Sequence, residues 1–315
     1  MTLILRGLAL LKFLVLGTGI GARASAQTLP PEVSWAIAAQ HEYQVSPNIT
    51  YLTADNHEVK LDVYHYRQGG KRPTVINIHG GGWLPGFTKD MYPGAFWPFL
   101  ALNWNVVNID YRHSGVALAP AAVEDCLCAL RWVIRNAAEY NIDTDQIVVF
   151  GQSAGGHLAL MTGMVPESAG LTTRCPGTEP LKVAAIIDMF GITDVGDLLT
   201  GENRQSYAVA WLGAQPDIAE VARRSSPLTY VRPGLPPILI MHGDKDTGVP
   251  YTHSVRLRDA LTKAKARVQL HTVAGGGHGD WDAAQFDAAY RAMFRFLAAH
   301  GITVQPLPAG KQRPS

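Results

Sequence analysis

A mostly parallel β-sheet with helices on both faces, an α/β fold, is the class this sequence predicts, and three observations predict it. Short apolar, β-branched runs alternate with amphipathic helical spacing along almost the whole chain. A Gly-x-Ser-x-Gly run at 151–155 sits between one such strand and one such helix. The other residues suited to chemistry fall just past later strand ends, where open sheets of this kind gather their sites.

Taken in order, residues 1–26 carry Arg6 and Lys12, an apolar run over 13–20 and the small-residue pattern Ala24-Ser25-Ala26. That pattern predicts a secretory signal peptide cleaved after Ala26, and so a secreted or periplasmic protein. The apolar run is short for a bilayer and is broken by Gly17, Gly19 and Gly21, which argues against stable membrane insertion once the leader is gone. What remains, residues 27–315, is read as a single catalytic domain of 289 residues. The leader holds three basic residues and no acidic one, leaving 24 basic against 26 acidic side chains. So even a balance gives no electrostatic reason to expect nucleic acid as a partner.

A proline-bearing segment, 29–48, precedes two strand-like runs, 49–53 and 58–66, joined by Asp55-Asn56-His57. They read as an antiparallel hairpin at the start of the sheet. After the Gln68-Gly69-Gly70 turn, a strand over 74–78 ends in His79-Gly80-Gly81-Gly82-Trp83, and another over 104–111 follows. A helix is predicted over 120–140, with Glu124 and Asp125 near its positive end and Leu127, Leu130, Val133 and Ile134 at apolar spacing. Strand 147–150, helix 154–164, strand 183–189, strand 238–241, helix 252–263, strand 268–273 and helix 283–300 complete the alternation. Residues 193–226 show no strand pattern and are read as a small cap insertion, and 305–315 as a polar, flexible tail.

The cysteines are Cys126, Cys128 and Cys175. The first two lie on different faces of a predicted helix and cannot bridge each other, whereas a disulfide from one of them to Cys175 is open to an exported protein. No Cys-x-x-Cys pair and no His/Cys cluster at ligand spacing is present, so no structural metal is expected.

Ser153 stands at the centre of the glycine run, where a turn this tight leaves its hydroxyl exposed at the strand tip. A serine hydroxyl is a poor nucleophile until a base takes its proton. Two later strand ends supply partners: His242-Gly243-Asp244-Lys245-Asp246, and Gly275-Gly276-Gly277-His278. The candidate roles are Ser153 as nucleophile, His278 as general base and Asp246 as the acid that orients it, with Asp244 the alternative acid. Backbone N–H groups of Gly81, Gly82 and Ala154 are the candidate oxyanion donors, and His79 is expected to brace that loop. Trp83, Phe87, Tyr92, Phe96, Trp97, Phe99 and Trp104 crowd the segment after the glycines. Trp83, with Tyr207 and Trp211 from the insertion, is taken as a candidate substrate contact, against a competing reading in which these rings pack the core.

Together, His79 to Trp83, Asp110-Tyr111-Arg112, Gly151 to Gly156, His242 to Asp246 with Val249-Pro250, and Gly277-His278 resemble the α/β-hydrolase superfamily. Within it the chain is similar to the hormone-sensitive-lipase-like carboxylesterases and the feruloyl-esterase-like (BD-FAE-type) bacterial group. The resemblance runs over roughly residues 61–300 and implies cofactor-free hydrolysis of a small-molecule ester, short-chain or aryl, through an acyl-serine. Gln152 stands where hormone-sensitive-lipase-like members usually carry Asp, which favours the feruloyl-esterase-like branch. His113-Ser114 is a second departure, since relatives often show a small residue and proline there. The rival enzyme reading is an arylformamidase-like amidohydrolase, which shares the His-Gly-Gly-x-Trp loop. A rival of another class is a non-catalytic binding protein on the same scaffold.

Overall fold

A computed structural model describes residues 29–67 and 69–304. Residues 1–26, where the sequence predicts a signal peptide, and the tail from 305 lie outside the described residues.

Helix α1 (Pro31–Glu42) leads into β1 (Tyr43–Ala54), β2 (His57–Tyr66) and β3 (Arg72–Ile78). A short α2 (Trp97–Leu100), β4 (Asn105–Ile109), α3 (Ala121–Arg135), β5 (Ile142–Gln152) and α4 (Ala154–Met164) follow. The rest are β6 (Ala185–Met189), α5 (Ser206–Leu212), α6 (Ile218–Arg224), β7 (Ile238–Gly243), α7 (Thr252–Lys263), β8 (Val268–Val273) and α8 (Ala283–Ala299). The strands form one eight-stranded sheet in the order β1-β2-β4-β3-β5-β6-β7-β8. Only β2 runs against its neighbours; every other pairing from β4 onward is parallel. This is the α/β-hydrolase arrangement that the sequence implies.

Parallel strands covered on both faces must be apolar on both, and alternate residues of each strand enter two separate cores. Ile76, Ile78, Val107, Ile109, Ile147, Val149, Ile186, Ile238 and Ile240 face α3, α4 and α7. Val75, Val106, Val148, Phe150, Ile187, Leu239 and Met241 face α2 and α8. The long helix α8 starts on a capping box in which Asp282 and Gln285 satisfy each other's backbone N–H groups.

Two buried ion pairs tie the loops at the carboxyl end of the sheet to its scaffold. Arg112, just after β4, is fully buried and binds Asp125 of α3 through Nε (3.0 and 2.9 Å), Nη2 (2.6 Å) and its own backbone N–H (2.7 Å). Asp125 therefore serves a cross-element pair and not the helix dipole alone. Lys89 Nζ meets Asp62 of β2 at 2.8 Å, while the Lys89 backbone donates to Asp110 and accepts from Asn108 Nδ2. That pairing fixes the long segment after the glycine loop at its midpoint.

A disulfide joins Cys128 of α3 to Cys175, and Cys126 is free and buried. Residues 193–226 form short helices; Trp211 of α5 stacks on Trp83 at 4.1 Å, and His157 of α4 lies edge-on to both rings. His157 Nε2 donates to the Ser225 carbonyl at 2.7 Å, so a knot of three rings fastens this segment to α4.

Removing the disulfide frees a loop of 47 residues in the unfolded chain. The double variant Cys128→Ser/Cys175→Ser is expected to lose about 2 to 4 kcal/mol of unfolding free energy, read by urea titration. Burial also pushes the imidazoles of His79, His157 and His253 down from 6.5 to about 4. Between those values the unfolded chain binds more protons than the fold, so stability falls as pH falls through that window, by up to about 3 kcal/mol per group. Melts followed by circular dichroism should show the midpoint dropping progressively from pH 6.5 toward 4, with His157→Gln flattening part of the slope.

Candidate active site

At the tip of β5 the chain turns into α4 through Ser153, whose backbone adopts φ 57° and ψ −121°. A side chain at Gly151 would overlap the Gly155 backbone, and one at Gly155 would overlap the Ile78 carbonyl at the end of β3. Only glycine at both places lets the turn close. The Ser153 N–H donates to the Met189 carbonyl of β6 at 2.9 Å, which locks the strained residue.

His278 follows β8 on a glycine-rich loop and reaches back to the serine. Its Nε2 lies 2.9 Å from Ser153 Oγ and its Nδ1 lies 2.7 Å from Asp246 Oδ2. A carboxylate only accepts, so Nδ1 carries the hydrogen, Nε2 is the acceptor and the serine hydroxyl donates to it. The structure thus brings Ser153, His278 and Asp246 into one hydrogen-bonded line.

Asp246, rather than Asp244, makes that contact. Asp246 Oδ1 accepts the N–H groups of Gly248 (2.7 Å) and Val249 (2.8 Å), and Oδ2 also accepts from His242 Nε2 at 3.0 Å. Burial opposes its ionisation, but the hydrogen bonds from His242, His278 and Val249 outweigh it and hold the carboxyl far below the ordinary carboxylate range. Asp244 accepts from the Gly275 N–H at 2.8 Å and so braces the loop that carries the histidine.

Gly80, Gly81 and Gly82 line the same cavity as Ser153 and His278. Among the described residues, no hydrogen bond uses the N–H of Gly81, Gly82 or Ala154. His79 sits behind them, stacked on Tyr111 at 4.4 Å, with Nδ1 donating to the Gly80 carbonyl at 2.7 Å. The Tyr111 hydroxyl adds a donor to the His79 carbonyl at 3.1 Å.

The cavity encloses about 960 Å³. Phe87, Tyr92, Phe190, Tyr207, Phe286 and Tyr290 supply its rings, and among the described residues its wall holds no Asp, Glu, Lys or Arg side chain. Of the rings singled out in the sequence, Tyr207 does face the cavity and hydrogen-bonds the Gly248 carbonyl at 3.0 Å. Trp83 and Trp211 do not: both are fully buried, because each ring is the other's packing partner beneath the cavity. Phe96, Phe99 and Trp104 belong to the core on the α8 side, and Trp97 is exposed. Phe190, Phe286 and Tyr290 escaped sequence reasoning. The latter two are spaced i, i+4 on α8, which reads as ordinary core spacing.

The BD-FAE family pattern matches residues 61–261, which is more than half of the chain. The chain belongs to the BD-FAE family. Among its relatives is the esterase LipQ of Mycobacterium tuberculosis, 30% identical over 225 residues, which cover 69% of this chain and 52% of LipQ. The chain spans about half the length of the curated relatives it matches. Among solved structures, a truncated carbohydrate esterase from gut microbiota is similar at a TM-score of 0.68 and 29% identity, covering 82% of this chain and 98% of that one. Thermogutta terrifontis esterase 2 phosphonylated by sarin gives a TM-score of 0.70 at 27% identity, covering 84% and 97%.

For this BD-FAE chain the two aspartates are separable by experiment. Asp246→Asn should lower kcat by roughly 10³- to 10⁴-fold, because the amide can present the wrong partner to His278 Nδ1. Asp244→Asn should cost less than about tenfold, since it only loosens a loop brace. Steady-state kinetics on a chromogenic ester check both, and equal losses would contradict the assignment.

Proposed function

We propose that the protein is a serine carboxylesterase of the exported compartment. One observation carries the reading: the Ser153–His278–Asp246 line opens into a cavity beside backbone N–H groups that have no hydrogen-bond partner among the described residues.

In this reading Ser153 Oγ attacks the ester carbonyl carbon while its proton passes to His278 Nε2. The oxygen that becomes negative is received by the N–H groups of Gly81, Gly82 and Ala154. Collapse of the tetrahedral species breaks the bond to the alcohol oxygen, which leaves with the proton from His278. Water then attacks the acyl-serine by the mirror-image sequence, frees the acid and returns the proton to Ser153. Asp246 stays ionised throughout and stabilises the imidazolium that forms twice per turnover.

The cavity favours a neutral ester. Among the described residues no formally charged side chain stands in its wall for a charged substrate group, and apolar rings surround the point of attack. Short-chain acyl and aryl esters fit that description. Export is supported by the signal-like leader in the sequence and by the Cys128–Cys175 disulfide, a bond that persists in oxidising compartments.

p-Nitrophenyl acetate should be hydrolysed by the wild type, and Ser153→Ala should lose roughly 10³-fold or more of kcat with an unchanged thermal midpoint. Because a structural neighbour is phosphonylated by sarin, paraoxon should inactivate the wild type and add its phosphoryl mass to the peptide containing Ser153. A Ser153→Ala protein that keeps its activity would sink the proposal. Faster turnover of N-formylkynurenine than of methyl ferulate would redirect it to amide hydrolysis.

A further inference from the structure

Asp246 carries one more hydrogen-bond partner than a triad acid needs. His242, fully buried in β7, places Nε2 3.0 Å from Asp246 Oδ2, the same oxygen that His278 Nδ1 meets at 2.7 Å. The Val249 carbonyl lies 3.1 Å from the same Nε2, and Ser254 Oγ on α7 lies 2.6 Å from Nδ1. Facing a carboxylate and a carbonyl, Nε2 must carry the hydrogen; Nδ1 then accepts the Ser254 hydroxyl. Both ring nitrogens are fixed, and the ring is held edge-on to Tyr251 at 5.6 Å.

We propose that His242 is a positioning residue for ester hydrolysis: its N–H shares Asp246 Oδ2 with His278, fixes the carboxylate's rotation and moderates its hold on the His278 proton. This rests on the esterase reading above.

A carboxylate offers about four lone-pair sites, and here four N–H groups fill them, two on each oxygen. Negative charge already engaged by His242 is less available to the His278 Nδ1–H. Asp246 therefore holds the imidazolium that forms during reaction less tightly than an unshared carboxylate would. Among the described residues, the other groups around the pair do not supply a hydrogen to that oxygen. Ser153 faces His278 from the β5–α4 turn and Phe190 from the end of β6. Tyr207 of α5 spends its hydroxyl on Gly248, and Asp280 packs at Gly277 on the base's own loop. Lys245 and Asp244 sit on the acid loop, with Asp244 turned to Gly275.

The test combines two measurements on His242→Met, which keeps an apolar filler but no donor, and His242→Gln, whose amide can restore an N–H near the same place. The titration of His278, followed by NMR of labelled histidine, requires no substrate. The Met variant should move it upward by about half a pH unit or more, and the acidic limb of kcat/KM should move with it to higher pH. Its kcat should fall about tenfold with KM changed less than about twofold, and the Gln variant should recover most of both. A folded Met variant with wild-type titration and kcat overturns the proposal, as does equal loss in Met and Gln. If the Met variant does not fold, Ser254→Ala carries the test: it frees the ring to rock, and an unmoved His278 titration overturns the proposal. A wild type that hydrolyses no ester would end the esterase reading, while the titration would still report on His242.

Discussion

The close approach of two backbones, at the end of β3 and in the first turn of α4, is the constraint on which the site depends. No side chain fits at Gly155 because the Ile78 carbonyl occupies its place. Holding Ser153 in the left-handed region costs about 1 to 3 kcal/mol. The cost is offset because α4 is buried along nearly its whole length and the Ser153 N–H is satisfied by β6. The same approach puts the glycine loop after β3 beside the Ala154 N–H, since both start from the point where the backbones touch. Candidate nucleophile and candidate oxyanion donors are consequences of one packing event.

Much of this was legible in the sequence. Helices 154–164 and 252–263 and strand 268–273 match their predicted bounds residue for residue. Each has abrupt ends set by glycine, proline or a polar turn. Helix α1 was not legible, because its apolar residues do not form one stripe: Trp35 and Ala39 pack inward while Val33 and Ile37 are exposed. Strand β1 begins six residues earlier than its apolar run, through Pro47 and a register shift between Ser46 and Ile49 that no pattern of period two announces. The line of Ser153, Asp246 and His278 was legible because each lies just past a strand. The choice between Asp244 and Asp246 turned on a backbone fold-back at Gly248 and Val249 that spacing alone cannot supply.

The cavity wall was the least legible part, and the reason is physical. Its rings come from the loop after β3, the end of β6, α5 and α8, so no local window contains it. Large aromatics near a site also gain from packing on one another. Trp83 and Trp211 illustrate this: stacked and buried, they attach the short helices of residues 193–226 to α4 through His157.

Charge is segregated from the cavity, and that division explains how so few polar groups can serve the chemistry. The buried pairs Arg112–Asp125 and Lys89–Asp62 stand behind the loops as braces. In front of them, a side chain at Gly81 would overlap Phe87, and one at Gly82 would come within 2.9 Å of Tyr207. These two rings press against the glycine loop from the positions its missing side chains leave open. A developing oxyanion would therefore meet oriented backbone dipoles among apolar rings, with no mobile counter-charge to reorganise. In such surroundings each N–H donor acts more strongly than it would in water. On the proposed mechanism, that is how a glycine loop pressed by Phe87 and Tyr207 would stand in for a cation.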